Sequence, residues 1–114
     1  MVTPTKTNVE QTGDVAVMRF EGDITSASEE AVLGKYKSLA STTKTILLDF
    51  AKVPYLNSSG IALVIQLMMA ASKASQKVLC FGLSAHFNKV FTMLGLAKYT
   101  TLHADEKAAR AAAA

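Results

Sequence analysis

Apolar residues recur along this chain in two rhythms, and each switch between them marks an element boundary. Asn8–Gln11 and Val15–Phe20 are short extended stretches separated by Thr12-Gly13-Asp14, a hairpin signal. In the second stretch Val15 and Val17 alternate with Ala16, Met18 and Phe20. Apolar residues on both faces predict a strand inside a sheet. Glu21-Gly22-Asp23 reads as a turn. From Ser26 the period lengthens. Val32, Tyr36 and Leu39 fall on one stripe, and Ser26 with Glu29 has capping-box spacing, so a helix is predicted up to Ser41-Thr42-Thr43. Ile46–Phe50 is an unbroken apolar run of strand length.

After a short segment containing Pro54 comes Asn57-Ser58-Ser59-Gly60, and then an apolar helical run from Ile61 to Ala71, continuing to about Ser75. Leu63, Leu67 and Ala70 are expected to face the sheet. Ile61, Ile65, Met68 and Met69 lie on other sides, so this helix is either deeply covered or partly exposed for a partner. Lys77–Gly82 predicts a further buried strand. Ser84 caps a helix through Phe87, Val90, Phe91 and Leu94, with Gly95 just past its end. Tyr99–Leu102 is a last short strand. Asp105 opens an alanine-rich helix to Arg110, and residues 111–114 are expected to fray.

The order β-β-α-β-α-β-α-β-α predicts an α/β fold. It is a small mixed sheet of four to five strands, an N-terminal antiparallel hairpin followed by βαβ units, with helices packed on it. Residues 1–114 are expected to form one domain with its core at about 8–106 and with fraying within 107–114; no repeat or linker divides it.

Composition narrows the function. Half of the 114 residues are hydrophobic and 18% are charged, as in a folded globular domain. The longest apolar run is too short to span a bilayer, and Met1–Thr7 has no signal-peptide character, so a cytoplasmic protein without membrane insertion is expected. Cys80 is the lone cysteine and sits in an apolar strand, which suits a small buried side chain. With two histidines and this one cysteine, neither a metal site nor another cofactor is expected. The net charge of +3 comes from lysines scattered along the chain, which argues against nucleic-acid binding. Ser58 lacks the Gly-x-Ser-x-Gly elbow of a hydrolase, and no Gly-x-x-x-x-Gly-Lys loop is present, so the chain is not expected to be an enzyme.

The candidate chemistry therefore concentrates at 57–60, where a buried strand hands over to a helix N-terminus. That end carries unpaired N–H groups and the positive end of the helix dipole. Asn57 or Ser58 can simply cap it. A capping serine can also accept a phosphoryl group, and the charge would be tolerated there. Ser59 competes with Ser58, turned about 100° away around the helix. Gly60 either admits a close backbone or partner, or relieves crowding. Asp23 and Thr25 follow Gly22 in what residue chemistry alone reads as a turn and cap.

The run Leu47-Leu48-Asp49-Phe50 … Leu56-Asn57-Ser58-Ser59-Gly60-Ile61 resembles the signature of the STAS domain family, named for sulphate transporters and anti-sigma-factor antagonists. The segment Phe87-Asn88-Lys89-Val90-Phe91-Thr92-Met93-Leu94-Gly95-Leu96 is similar to a second family pattern, and the likeness covers roughly residues 8–106. The resemblance implies a partner-switching regulator. Unphosphorylated, such a protein binds a serine-kinase anti-sigma factor; phosphate on the first serine of the pair, here Ser58, breaks the complex, and a serine phosphatase restores it. Asp23, Thr25, Asn57, Ser58, Ser59 and Gly60 are the implied partner-binding positions, with Ser59 the second choice for phosphate and a monomer or weak dimer expected. The family usually has Asp before that serine, where this chain has Asn57: the capping ability survives and one negative charge is lost. The alternative is a non-switching scaffold subunit of a signalling or lipid-transport assembly.

Overall fold

A computed structural model describes residues 3–114. Five strands form one mixed sheet in the order β1-β2-β3-β4-β5: β1 (Lys6–Thr12), β2 (Val15–Glu21), β3 (Thr45–Lys52), β4 (Lys77–Phe81) and β5 (Thr101–His103). The hairpin β1–β2 is antiparallel and turns at Gly13, whose φ is +59°. The other pairs are parallel, with Ala16 beside Ile46, Ile46 beside Val78 and Leu79 beside Thr101.

Because each parallel strand is followed by its immediate neighbour, right-handed crossovers put every connecting helix on one face. These connections are a first helical segment (26–37), α2 (Ser58–Lys73) and α3 (Ala85–Met93). The principal core lies beneath them. Met18, Phe20, Ile46, Leu48, Phe50, Val78 and Cys80 from the sheet meet Val32, Val64, Leu67, Phe87 and Phe91 from the helices. Phe50 sits between Phe20, tilted to it, and Phe91, edge-on to it, at centroid distances of 5.4 and 6.0 Å. The Cys80 thiol is fully buried, beside the Thr100 hydroxyl, and burial pushes its pKa up to about 12.

The other face of the sheet is covered by α4 (Glu106–Ala113), whose Ala109 packs on Val17, Leu47, Leu79 and Phe81. Arg19, half-buried on that face, is paired with Glu10, Asp49 and Glu106, and Glu106 also pairs with Arg110 one helical turn on. Alanine methyls bury little area, so this cluster is a large part of what fixes α4.

Four local expectations change. The helix after β2 is capped one residue early: the Thr25 hydroxyl accepts from Ala27 N–H and the Ser28 hydroxyl accepts from Thr25 N–H, in place of Ser26 with Glu29. The cause is tertiary. Ile24 is bridged to Leu56 and held extended, so the chain must turn at Thr25. The segment then runs through a wide π turn (Glu30–Gly34) into the short α1 (Lys35–Lys37). In α2, Met68 and Ala71 are buried with Leu63 and Leu67, while Ala70 is only partly covered. Finally, α4 continues past Arg110 to Ala113, because the sheet face beneath it extends that far.

Candidate functional site

The candidate residues meet at the C-terminal edge of the sheet, where the loops after β2 and β3 lie side by side. Ile24 N–H donates to the Tyr55 carbonyl at 3.0 Å, and Asn57 N–H donates to the Ile24 carbonyl at 3.2 Å. This one-residue parallel bridge fixes the height at which α2 begins. Asn57 is extended (φ −88°, ψ 177°), and its side-chain oxygen accepts from Gly60 N–H at 2.8 Å. Asn57 is therefore the cap, and Ser58 and Ser59 are the first two helical residues.

Gly60 is buried, and the open question about it has a geometric answer. A β-carbon there would stand 1.9 Å from the Ile24 carbonyl oxygen and 2.5 Å from its carbon. The close neighbour is the chain's own backbone, and only glycine admits it.

Six residues were singled out by sequence, and the fold sorts them. Ser58 and Ser59 are exposed side by side at the helix start. Asn57 is half-buried and engaged as the cap. Asp23 is half-buried: its N–H donates to the Thr3 carbonyl and its carboxylate accepts from Thr3 N–H, each at 3.1 Å. Thr25 and Gly60 lie below the surface. In these last two the visible role is support: the Thr25 hydroxyl accepts from Ala27 N–H as a helix cap, Gly60 lies against the Ile24 backbone, and both hold the loops in place. Thr5 reinforces them, donating its hydroxyl to the Asp23 carbonyl at 2.6 Å and bonding the Ser28 hydroxyl.

Electrostatically the start of α2 is open. Its first turn carries no acidic residue, and the N–H groups of Ser58 and Ser59 are among those an α-helix leaves unpaired. A negative charge added at either hydroxyl would meet the favourable end of the helix dipole. Neither histidine is hydrogen-bonded to Ser58 among the described residues. His86 packs edge-on to Phe87 at 4.8 Å, and His103 Nε2 bonds the Thr101 hydroxyl at 2.8 Å.

Two surface features flank the serines. Tyr55, 48% exposed, stands three residues before Ser58 with its ring edge-on to Phe87 at 6.3 Å. Ile61 and Ile65, partly covered, and Met69, 42% exposed, continue down the outer side of α2. The i, i+4, i+8 spacing of the second group was legible in the sequence. Tyr55 was missed; an aromatic residue in a proline-containing loop just before the serines was the available signal.

No curated protein sequence matches the chain. Among solved structures, the Bacillus cell fate determinant SpoIIAA in its phosphorylated form superposes with a TM-score of 0.69 and 24% identity, over 90% of this chain and 95% of its own. An anti-sigma factor antagonist from Mycobacterium paratuberculosis gives 0.76 and 19%, covering 98% and 97%. A sulfate transporter family protein from Wolinella succinogenes gives 0.75 and 16%, covering 91% and 88%. At these identities the likeness is one of fold. The STAS domain family model matches residues 6–109. That span runs from the first residue of β1 into α4 and takes in the bridged loops, the Asn57 cap and both serines, so the chain belongs to the STAS domain family.

Proposed function

We propose that this STAS domain is a partner-switching antagonist: it binds a serine-kinase anti-sigma factor with the surface around Ser58 and releases it when Ser58 is phosphorylated. It acts by binding and not by catalysis, and a serine phosphatase resets it. The observation that carries this reading is that Ser58 is exposed at the start of α2 while Asn57 already supplies the cap. A phosphate can thus be added without removing any bond that holds the fold. It brings about −1.5 to −2 charges and three acceptor oxygens to a helix end that tolerates them. Tyr55, Ile61, Ile65 and Met69 lie nearby and suit an apolar contact, which does not tolerate an unpaired anion. The Bacillus relative in its phosphorylated form supports a modified state of this fold.

The test starts with intact mass and site mapping of the protein purified from the cells that make it, where phosphate is expected on Ser58 in preference to Ser59. The kinase responsible is then titrated against wild type, Ser58→Ala and Ser58→Asp. Ser58→Asp should bind at least about thirtyfold more weakly while its stability changes by under about 1 kcal/mol. No phosphate in any growth condition, or equal binding by all three, rejects switching. The scaffold reading then takes over, favoured by the uncharged Asn57 and by the continuous apolar side of α2.

A further inference from the structure

The end of the sheet away from Ser58 gathers lysines that lie far apart in sequence. Strands β3 and β4 begin there side by side: Thr45 pairs with Lys77, and Lys77 N–H donates to the Lys44 carbonyl at 2.8 Å. Lys73 closes α2 just before β4. Lys37 follows Tyr36, whose hydroxyl bonds Gln76 Oε1, while Gln76 Nε2 donates to the Thr43 carbonyl at 3.0 Å. Those bonds bring the end of the first helical segment to the same place. Lys98 lines one shallow groove with Gln76 and Lys77. All five lysines are exposed, and none is ion-paired among the described residues.

The carboxylates lie mostly elsewhere. Asp14 is at this end, its carbonyl bonded to the N–H groups of Lys44 and Thr45. Glu21, Asp23, Glu29 and Glu30 flank the Ser58 loops, and Glu10, Asp49 and Glu106 surround Arg19. A mild net charge of +3 is thus distributed as one strongly basic end. At the rim of that end α3 finishes with Met93, 80% exposed, and Leu94, 47% exposed.

We propose that this basic end is a docking surface for an anionic phospholipid bilayer. Lysine heads are hydrated point charges on flexible stems, suited to a diffuse negative surface. Each one near an anionic leaflet is worth about fivefold in binding. Exposed Met93 and Leu94 add apolar side chains that can enter the headgroup boundary. A nucleic acid fits less well: the five-residue patch contains no arginine, and the backbone presents loop ends in place of a helix or ribbon shaped for a groove. Among the described residues no helix is long and apolar enough to cross a membrane, so attachment is peripheral. It leaves the Ser58 end facing away from the bilayer, and it stands or falls independently of phosphorylation.

Flotation with vesicles of phosphatidylcholine, alone or with about 30% phosphatidylglycerol, at about 0.1 M salt tests the proposal. The wild-type chain should float with the anionic vesicles only and be released at about 0.5 M salt. The triple variant Lys37→Gln/Lys44→Gln/Lys77→Gln should bind at least about tenfold more weakly. Lys6→Gln/Lys52→Gln/Lys107→Gln, which removes equal charge elsewhere, should stay within about twofold. Met93→Ser/Leu94→Ser should lose about threefold with every lysine intact. Circular dichroism of each variant confirms the fold. No flotation of wild type, or equal losses in both lysine triples, overturns the proposal. So does displacement by duplex DNA combined with no effect of the Met93 and Leu94 changes, which marks a general polyanion site.

Discussion

The two ends of the sheet are built by different means. At the Ser58 end the backbone is locked. A one-residue bridge ties two loops, Gly60 sits against the Ile24 carbonyl, and Asn57 closes the first turn of α2. At the opposite end side chains tie the loops, with Gln76 reaching Tyr36 and Thr43, and Thr43 bonded in turn to Gln11; the lysines there form no ion pair among the described residues. The difference matches the role proposed for each surface. A hydroxyl offered to a modifying enzyme must be held at one height and one angle. A diffuse charged surface works through long, mobile stems and needs only that they share a side.

Substitutions can break this contrast, and the largest effect is expected at Gly60. In Gly60→Ala the new methyl collides with backbone atoms that cannot swing away, so the Ile24–Leu56 bridge must open. Urea denaturation should show a loss of about 3 kcal/mol. A loss under about 1 kcal/mol would mean that the bridge gives easily and that the Ser58 end is no more rigid than the other.

Removing the cap comes next. Asn57→Ala should cost about 1 kcal/mol in the same assay. Asn57→Asp should keep the bond to Gly60 N–H and gain a few tenths of a kcal/mol from the helix dipole. It also restores the acid that the family usually carries beside the serine, so comparing kinase labelling of Ser58 in the two variants separates the cap from the charge.

The Arg19 cluster provides a control away from both ends. Hydrogen bonds from Arg19 and then Arg110 hold the Glu106 carboxyl at about 2, below its ordinary 4.5. A carboxylate with a depressed folded-state pKa stabilises above its unfolded pKa, and the contribution is lost as pH falls. The window here runs from about 4.5 down to about 2. Glu106→Gln should cost about 1 kcal/mol at pH 7, a discounted figure because about a third of the side chain is open to solvent. It should also flatten the acid limb of stability against pH. An unchanged limb would show that α4 is held by apolar contact alone.

The smallest effect on stability is expected from Lys37→Gln/Lys44→Gln/Lys77→Gln, within about 0.5 kcal/mol in urea, because all three side chains are exposed and unpaired among the described residues. A large loss would mean that the lysines hold the fold and that the contrast between the two ends is misdrawn.

Much of the architecture was legible in the sequence because it is written in local pattern. β3 and β4 are runs apolar on both faces, Ser84 and Asp105 are caps at correct spacing, and Gly95 takes φ +67° past the end of α3. The exposure of Ser58 also followed from its place at a helix start. The presence of Tyr55 beside the serines could have been read, but not its exposure, because whether a loop aromatic is buried depends on Phe87, thirty-two residues away. The shifted cap at Thr25 was hidden for the same kind of reason: Ser26 with Glu29 is locally acceptable, and the bridge to Leu56 overrides it.

By itself, then, the sequence determined which segments are strands and helices, their order, and the serine pair at the head of α2. Periodicity and capping act over a few residues and need no distant partner. Only the tertiary structure decided that Thr25 and Gly60 support the site from below, that α4 closes the second face through Arg19, and that lysines scattered along the chain share one end. Parallel strands paired in sequential order make every connection return to the same side of the sheet, and that return brings together residues that no local pattern relates.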